Sequence, residues 1–128
     1  MGNTTEPYPA GFLEGVRAFN RGAFFEAHEA FEDLLEAVES DPRWDLLLAL
    51  IQVAVGYHKC ASGHSGALRM LSLGAEKLAP FAPVAWGVDV GALRARVAAD
   101  RAALAQDEGA VRARVRSDPP RLRLRPAG

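Results

Sequence analysis

Apolar residues near the start of the chain recur with a helical period. Phe12, Val16 and Phe19 stand at i, i+4 and i+7, which predicts a first helix over about residues 9–20. A second helix is expected over about residues 22–39, because five apolar residues share one face there: Phe24, Ala27, Phe31, Leu34 and Leu35.

The next two predicted helices differ in how widely their apolar residues are spread. The helix expected over about residues 42–61 is apolar almost all round, which is typical of the central helix of a bundle. Ser62-Gly63 ends it, and a fourth helix over about residues 65–79 stops before Pro80. The apolar-rich stretch 80–88 predicts a loop that packs down on the helices.

The C-terminal part begins with a fifth helix over about residues 90–106, and a short further turn is expected over 109–115. Arg and Leu then alternate from Arg121 to Arg125, which predicts an extended arm. The short loops favour an all-α fold, a single compact bundle of about five helices. It would consist of two helical hairpins, a C-terminal helix and an extended tail.

Length and cysteine content support one small domain. A chain of 128 residues has room for one core, which we assign to residues 1–111, followed by an Arg-rich, Pro-containing tail over 112–128. The lone Cys60 excludes an internal disulfide framework and suits a reducing compartment. The start of the chain shows no signal-peptide pattern, so we expect a cytoplasmic protein.

The formal net charge of −1 conceals a strong charge asymmetry. Residues 26–45 carry eight acidic side chains against Arg43, whereas residues 112–128 carry six Arg against Asp118. Three outcomes are open for the basic tail: it packs on the acidic second helix, within one chain or across a dimer; it binds an outside polyanion; or it is simply solvated. We favour the first, because opposite charges in one compact molecule need no outside partner.

Two blocks of residues resemble a known family. The first block is Phe19-Asn20-x-Gly22-x-Phe24-Phe25-Glu26-Ala27-His28-Glu29-x-x-Glu32, and the second runs from Leu50-Ile51-Gln52 to His58 and Leu71. Both resemble the bacterial and archaeal family called domain of unknown function 309, and Gly87-Val88-Asp89 fits its third signature.

The resemblance spans about residues 12–100 and implies a small all-helical domain of two packed hairpins, without an assigned activity. Two positions depart from the family pattern: Leu35 stands where an aromatic residue is common, and Ala49 where Gly is common. Both are packing positions, and the polar positions are intact.

Five polar residues of these blocks form the candidate functional cluster: His28, Glu29, Glu32, Gln52 and His58. Gln52 lies within an otherwise apolar helix, and a buried amide left unpaired costs about 1–3 kcal/mol. We therefore expect Gln52, His28 and one of Glu29 or Glu32 to form a buried hydrogen-bonded network between helices two and three. His58 lies about 120° from Gln52 around the helix and would join only at the helix end.

A metal site is the alternative for the same residues. The string His28-Glu29-x-x-Glu32 lacks the second histidine of the zinc-protease helix. His28 and Glu32 are nonetheless i, i+4 neighbours that could share a divalent cation, with Glu29 as the candidate catalytic base. This would make the protein a small metal-dependent enzyme or a metal-binding protein. The network interpretation expects no cofactor and no metal.

The remaining sequence contains no nucleophile elbow and no phosphate-binding glycine loop. It therefore favours a non-enzymatic interaction module. A protein partner or self-association, including a homodimer, is favoured over nucleic acid, because the acidic second helix would repel a duplex.

Overall fold

The architecture is taken from a computed structural model that describes Tyr8 and residues 11–125. The described helices are α1 (Phe12–Asn20), α2 (Phe24–Glu32), α3 (Arg43–Ser62), α4 (Ala67–Leu78), α5 (Val90–Leu104) and α6 (Glu108–Ser117). Strands β1 (Val84–Ala85) and β2 (Val88–Asp89) pair antiparallel, and 3-10 turns cover Glu36–Val38 and Ala79–Phe81. The predicted start of the first helix at residue 9 lies outside the described residues, as do residues 126–128 of the predicted tail.

The third helix is central, as its apolar sequence predicts. It packs most extensively against α4 and α2, and α1 packs on α2, so the two predicted hairpins are present. Glycines allow α3 and α4 to approach closely: a Cβ atom on Gly56 would lie 2.7 Å from Leu71 Cδ2. Although α3 is the longest described helix, none of the described helices is long and apolar enough to cross a membrane.

The second helix is shorter than predicted. It ends at Glu32, and the chain continues through a turn into the 3-10 turn Glu36–Val38. Leu34 and Val38 are both buried, so the turn keeps the apolar residues on the core side. Acidic side chains near a helix C-terminus oppose the helix dipole, and the last turn of α2 has no basic residue. These two effects explain why the helix stops early.

The loop predicted over residues 80–88 contains the β1–β2 hairpin. As expected, it packs on the helices: the Trp86 ring lies 4.7 Å from the Phe12 ring, and Val88 is completely buried. Trp86 and Gly87 both have positive φ angles, 52° and 75°, and form the turn between the two strands.

The short turn expected over 109–115 is a full helix, so six helices are described rather than about five. Val111 and Val115 on α6 are buried. Arg112 Nε donates to the Cys60 carbonyl at 3.4 Å, and an Arg116 guanidinium nitrogen donates to the Ala61 carbonyl at 2.7 Å. The guanidinium groups thus satisfy carbonyls that the end of α3 leaves without helical partners. The domain boundary predicted between residues 111 and 112 falls inside this helix.

The last described residues form the expected extended arm on the bundle. Leu122 is almost completely buried, and its backbone exchanges two hydrogen bonds with the Asn20 side chain, at 2.6 and 3.1 Å. Next to it, the Asp89 amide donates to the Arg123 carbonyl at 2.8 Å, and Leu124 bridges to Val88. The arm therefore extends the small hairpin.

The prediction that the basic tail pairs with the acidic second helix is wrong within one chain for the part of the tail that the structure describes, and pairing across a dimer stays a prediction. Arg114 pairs with Asp100, and Arg125 pairs with Asp89 at 3.1 Å. No ion pair joins described residues beyond 111 to α2. The reason is topological: α6 lies across the end of α3, where helix carbonyls and a buried carboxylate are nearer acceptors.

Candidate functional site

The histidine and the two glutamates predicted on the second helix all lie on α2, but they differ in exposure. The His28 ring is 18% exposed, and its Nδ1 is hydrogen-bonded to the Phe25 carbonyl at 3.0 Å. His28 Nε2 lies 3.9 Å from Glu32 Oε1, whose side chain is 59% exposed. Glu29 is exposed as well. Neither glutamate is therefore part of a buried network.

The structure brings His28 and His58 together at one depression, called here the histidine pocket. It is about 310 Å³ in volume and is lined by Phe25, His28, Val55, His58, Lys59 and His64. The Phe25 ring lies between the imidazoles, 5.1 Å from the His28 ring and 5.3 Å from the His58 ring. The half-exposed Phe25 thus forms an aromatic wall shared by the two histidines.

Burial lowers the pKa of His58 below its ordinary value, and the positive charges of His64, His28 and Lys59 lower it further. The neutral imidazole of His58 is therefore favoured near neutral pH. It can donate one hydrogen bond and accept another, which suits a ligand with both kinds of polar group.

Gln52 does not take part in this pocket, and the predicted network with His28 is wrong. Gln52 faces the α4 side of α3, where it lines a depression of about 280 Å³ with Leu73, Glu76 and Lys77. Its Oε1 atom is buried without a hydrogen-bond partner. Gln52 and His58 are about 120° apart around α3. Gln52 therefore lies beside α4 and His58 beside α2.

The metal alternative has a carboxylate–imidazole pair but no larger ligand set within residues 8 and 11–125. No group of three or more His, Cys, Asp or Glu side chains there is placed to hold a metal ion. His28 and Glu32 are the two members of the predicted ligand set that lie together.

The open stripe of α3 is the feature that connects the two depressions. Its five partly exposed positions lie within about 80° around the helix at 3.6 residues per turn; they are Trp44, Leu48, Gln52, Val55 and Lys59. Phe25 of α2 borders the stripe and is 50% exposed, and Leu73 of α4 borders it on the other side and is 37% exposed. We call these seven residues the open face.

A second polar cluster was not expected from the sequence. Asp100 on α5 is completely buried and accepts hydrogen bonds from the Tyr57 hydroxyl at 2.6 Å, from Arg96 Nε at 2.8 Å and from Arg114. Burial and the Asp100 carboxylate raise the pKa of the Tyr57 hydroxyl far above its usual range. The i, i+4 spacing of Arg96 and Asp100 was the one sequence signal for this cluster.

The Asp100 carboxylate is fully engaged, because both of its oxygens accept hydrogen bonds from side chains of the cluster. Arg96 also donates to the Asp118 carbonyl at 2.7 Å and so connects α5 to the end of α6. The cluster joins α3, α5 and α6 and has a structural rather than a binding character. Cys60 next to it is buried, which raises the pKa of its thiol and opposes reactivity.

Comparison with protein families gives a match, which covers the first part of the chain. The model described as "Domain of unknown function (DUF309)" matches residues 12–71, so this part of the chain is similar to that family, as the resemblance predicted. The matched range contains all five residues of the predicted cluster and excludes Asp100. Residues 87–89, assigned to a third signature, lie beyond the match. Comparisons with curated proteins and with solved structures gave no match.

Proposed function

We propose that the protein is a helical interaction module that binds another polypeptide through the open face. The observation that carries this proposal is the row of partly exposed apolar residues on the central helix. An ordinary bundle buries its central helix on all sides, but α3 leaves Trp44, Leu48 and Val55 partly uncovered. Contiguous apolar surface of this kind marks interaction sites in proteins.

The surroundings of the open face fit a protein partner. Phe25 and Leu73 extend the apolar surface onto both neighbouring helices. Exposed Glu29 and Glu32 lie on α2, and Glu76 lies on α4, so charged residues border the apolar centre. An apolar centre with a polar rim is the usual construction of a protein interface. The lone buried Cys60 is consistent with the reducing cytoplasm as the proposed location.

Photo-crosslinking tests this proposal. A photoreactive phenylalanine analogue replaces Leu48 in the cell that makes the protein, and the same analogue replaces exposed Ala102 on α5 as the control. We expect a discrete crosslinked product from position 48 and none from position 102. The product should disappear when Phe25→Glu is added and persist with Val84→Glu, since Val84 is an exposed apolar residue outside the open face. Equal crosslinking from positions 48 and 102 would contradict the proposal.

A metal-binding protein or a small metal-dependent enzyme is the second candidate, favoured by the distance of 3.9 Å between His28 Nε2 and Glu32 Oε1. In this case His28 and Glu32 bind a divalent cation, and exposed Glu29 is the candidate base. Calorimetric titration with Zn²⁺ tests it. The candidate requires one bound ion that is lost in His28→Ala and in Glu32→Gln but kept in the control Asp33→Asn. Equal binding by all four proteins would eliminate it.

A further inference from the structure

We infer that the occupant of the open face is a second copy of this chain, with the two α3 helices antiparallel and the two Gln52 side chains beside the two-fold axis. This inference rests on the proposed function and specifies its partner. A two-fold axis brings the same surface of both copies together, so the surface must complement itself under that rotation. Three properties of the open face meet this requirement.

The first property is the spacing of the stripe. Trp44 and Lys59 are equally far from the point between residues 51 and 52, and so are Leu48 and Val55. Antiparallel pairing about this point places Leu48 of each copy against Val55 of the other. It also places the Trp44 ring against the Lys59 side chain of the other copy, an aromatic–cation pair. Among the five residues of the stripe, Gln52 is the one that lies next to the same residue of the other copy.

The second property is the unsatisfied amide. Gln52 Oε1 is buried without a hydrogen-bond partner, while the side chain as a whole remains partly exposed. A buried polar atom without a partner is unusual and requires an explanation. When the amides turn toward the axis, two Gln52 side chains can donate to and accept from each other. A single polar residue in an apolar helix interface is also a known device for fixing the register of two helices.

The third property is the charge at the two ends of α3. Asp45 lies in the first turn of the helix, directly after the acidic segment 26–41. Lys59 lies in its last turn, and exposed Arg69 lies in the first turn of the following helix. An antiparallel arrangement brings the acidic end of each copy to the basic end of the other, whereas a parallel arrangement would oppose like charges. Charge complementarity therefore selects the orientation.

Sedimentation equilibrium of the purified full chain tests the partner. Over a roughly hundredfold concentration range, we expect the wild type to change from monomer to dimer in the way mass action requires. Leu48→Glu should remain monomeric, and so should Trp44→Ala at the exposed end of the stripe. Ala102→Glu, on α5, should dimerise like the wild type. Circular dichroism verifies that each variant keeps its helices. A wild type that remains monomeric, or a folded Leu48→Glu that still dimerises, would overturn the inference.

Disulfide trapping tests the orientation in a Cys60→Ala background. Gln52→Cys should crosslink to its own copy under oxidised glutathione, because both thiols lie beside the axis. Trp44→Cys should not crosslink, because its counterpart lies about 20 Å away along an antiparallel helix pair at 1.5 Å per residue. Efficient crosslinking of Trp44→Cys would contradict the antiparallel arrangement.

The photo-crosslinking experiment separates failure of this inference from failure of the proposed function. A product from position 48 that contains a different protein, combined with a monomeric purified chain, would keep the interaction module and refute the second copy. The absence of any product from position 48 would refute both.

Discussion

The Asp100 carboxylate and the Gln52 amide are two buried hydrogen-bond acceptors in one small bundle, and they differ in whether they have partners. Asp100 is completely buried, and three side chains donate to it from α3, α5 and α6. The carbonyl oxygen of Gln52 is buried too, but it accepts no hydrogen bond. The comparison shows that the Asp100 carboxylate is satisfied within the fold, whereas the Gln52 carbonyl oxygen is left unsatisfied in the single chain.

The histidine pocket belongs with Gln52 in this comparison. His28 and His58 line a depression that solvent reaches, and the ring of Phe25 between them is half exposed. Both features lie within the residues that match the family, whereas Asp100 lies outside them. The histidine pocket and Gln52 therefore lie within the matched part of the chain, whereas the Asp100 cluster joins Tyr57 of that part to residues beyond it.

Removing the buried carboxylate should have the largest effect. We expect Asp100→Ala to lower the free energy of unfolding by about 3–5 kcal/mol, because Tyr57, Arg96 and Arg114 lose their common acceptor. Chemical denaturation measures this difference. The control is Asp45→Ala, an exposed aspartate, for which we expect a change of about 0.5 kcal/mol. Similar losses for the two variants would show that the cluster does not stabilise the fold.

Removing the unpaired amide should have a smaller effect of the opposite sign. We expect Gln52→Leu to raise the free energy of unfolding by about 1 kcal/mol, because it removes a buried acceptor without a partner. The measurement is denaturant unfolding at a concentration where the chain is monomeric. Gln106→Leu, at an exposed position after α5, is the control and should change little. A clear loss of stability in Gln52→Leu would mean that the amide is hydrogen-bonded in the monomer after all.

Protonation of the histidine pocket should have the smallest effect. The folded chain holds the pKa of His58 below 6.5, so the unfolded chain takes up this proton first as the pH falls. We therefore expect protonation of His58 to lower the free energy of unfolding of the wild type as the pH falls from about 6.5 through the pKa of the folded state. The measurement is the free energy of unfolding at about pH 7 and about pH 5, for the wild type and for His58→Gln. The wild type should lose more stability between these two pH values than His58→Gln does. Parallel pH profiles for the two proteins would contradict the assignment.

Much of the helical architecture could be predicted from the sequence, because hydrophobic periodicity and helix-breaking residues are local properties of the chain. Helices α3, α4 and α5 were predicted within a few residues of their ends. The second helix was predicted too long, since apolar periodicity continues through Leu34 and Leu35 although the backbone turns there. The last helix was predicted only as a turn, because α6 has just two buried valines and its stability comes from contacts with α3.

The candidate site was predicted in part. The sequence identified His28 and His58 as polar residues of interest, and the structure places them at one pocket. It did not indicate that Gln52 faces a different neighbour, because a helical period gives angles around α3 but not which helix lies at each angle. Likewise, Arg114 and Asp100 lie on different helices, and their ion pair depends on how α5 and α6 meet.

The sequence by itself determined the all-α class, the central position of α3, the extended arm and the similarity of residues 12–71 to the family. These follow from hydrophobic period, helix-breaking residues and a specific motif, all of which act over short distances along the chain. Only the tertiary structure decided which polar groups find partners. Partners such as Tyr57 and Asp100 are 43 residues apart, and hydrogen bonds require atoms within about 3 Å. The same long-range packing closed the Asp100 cluster and left one face of the central helix open.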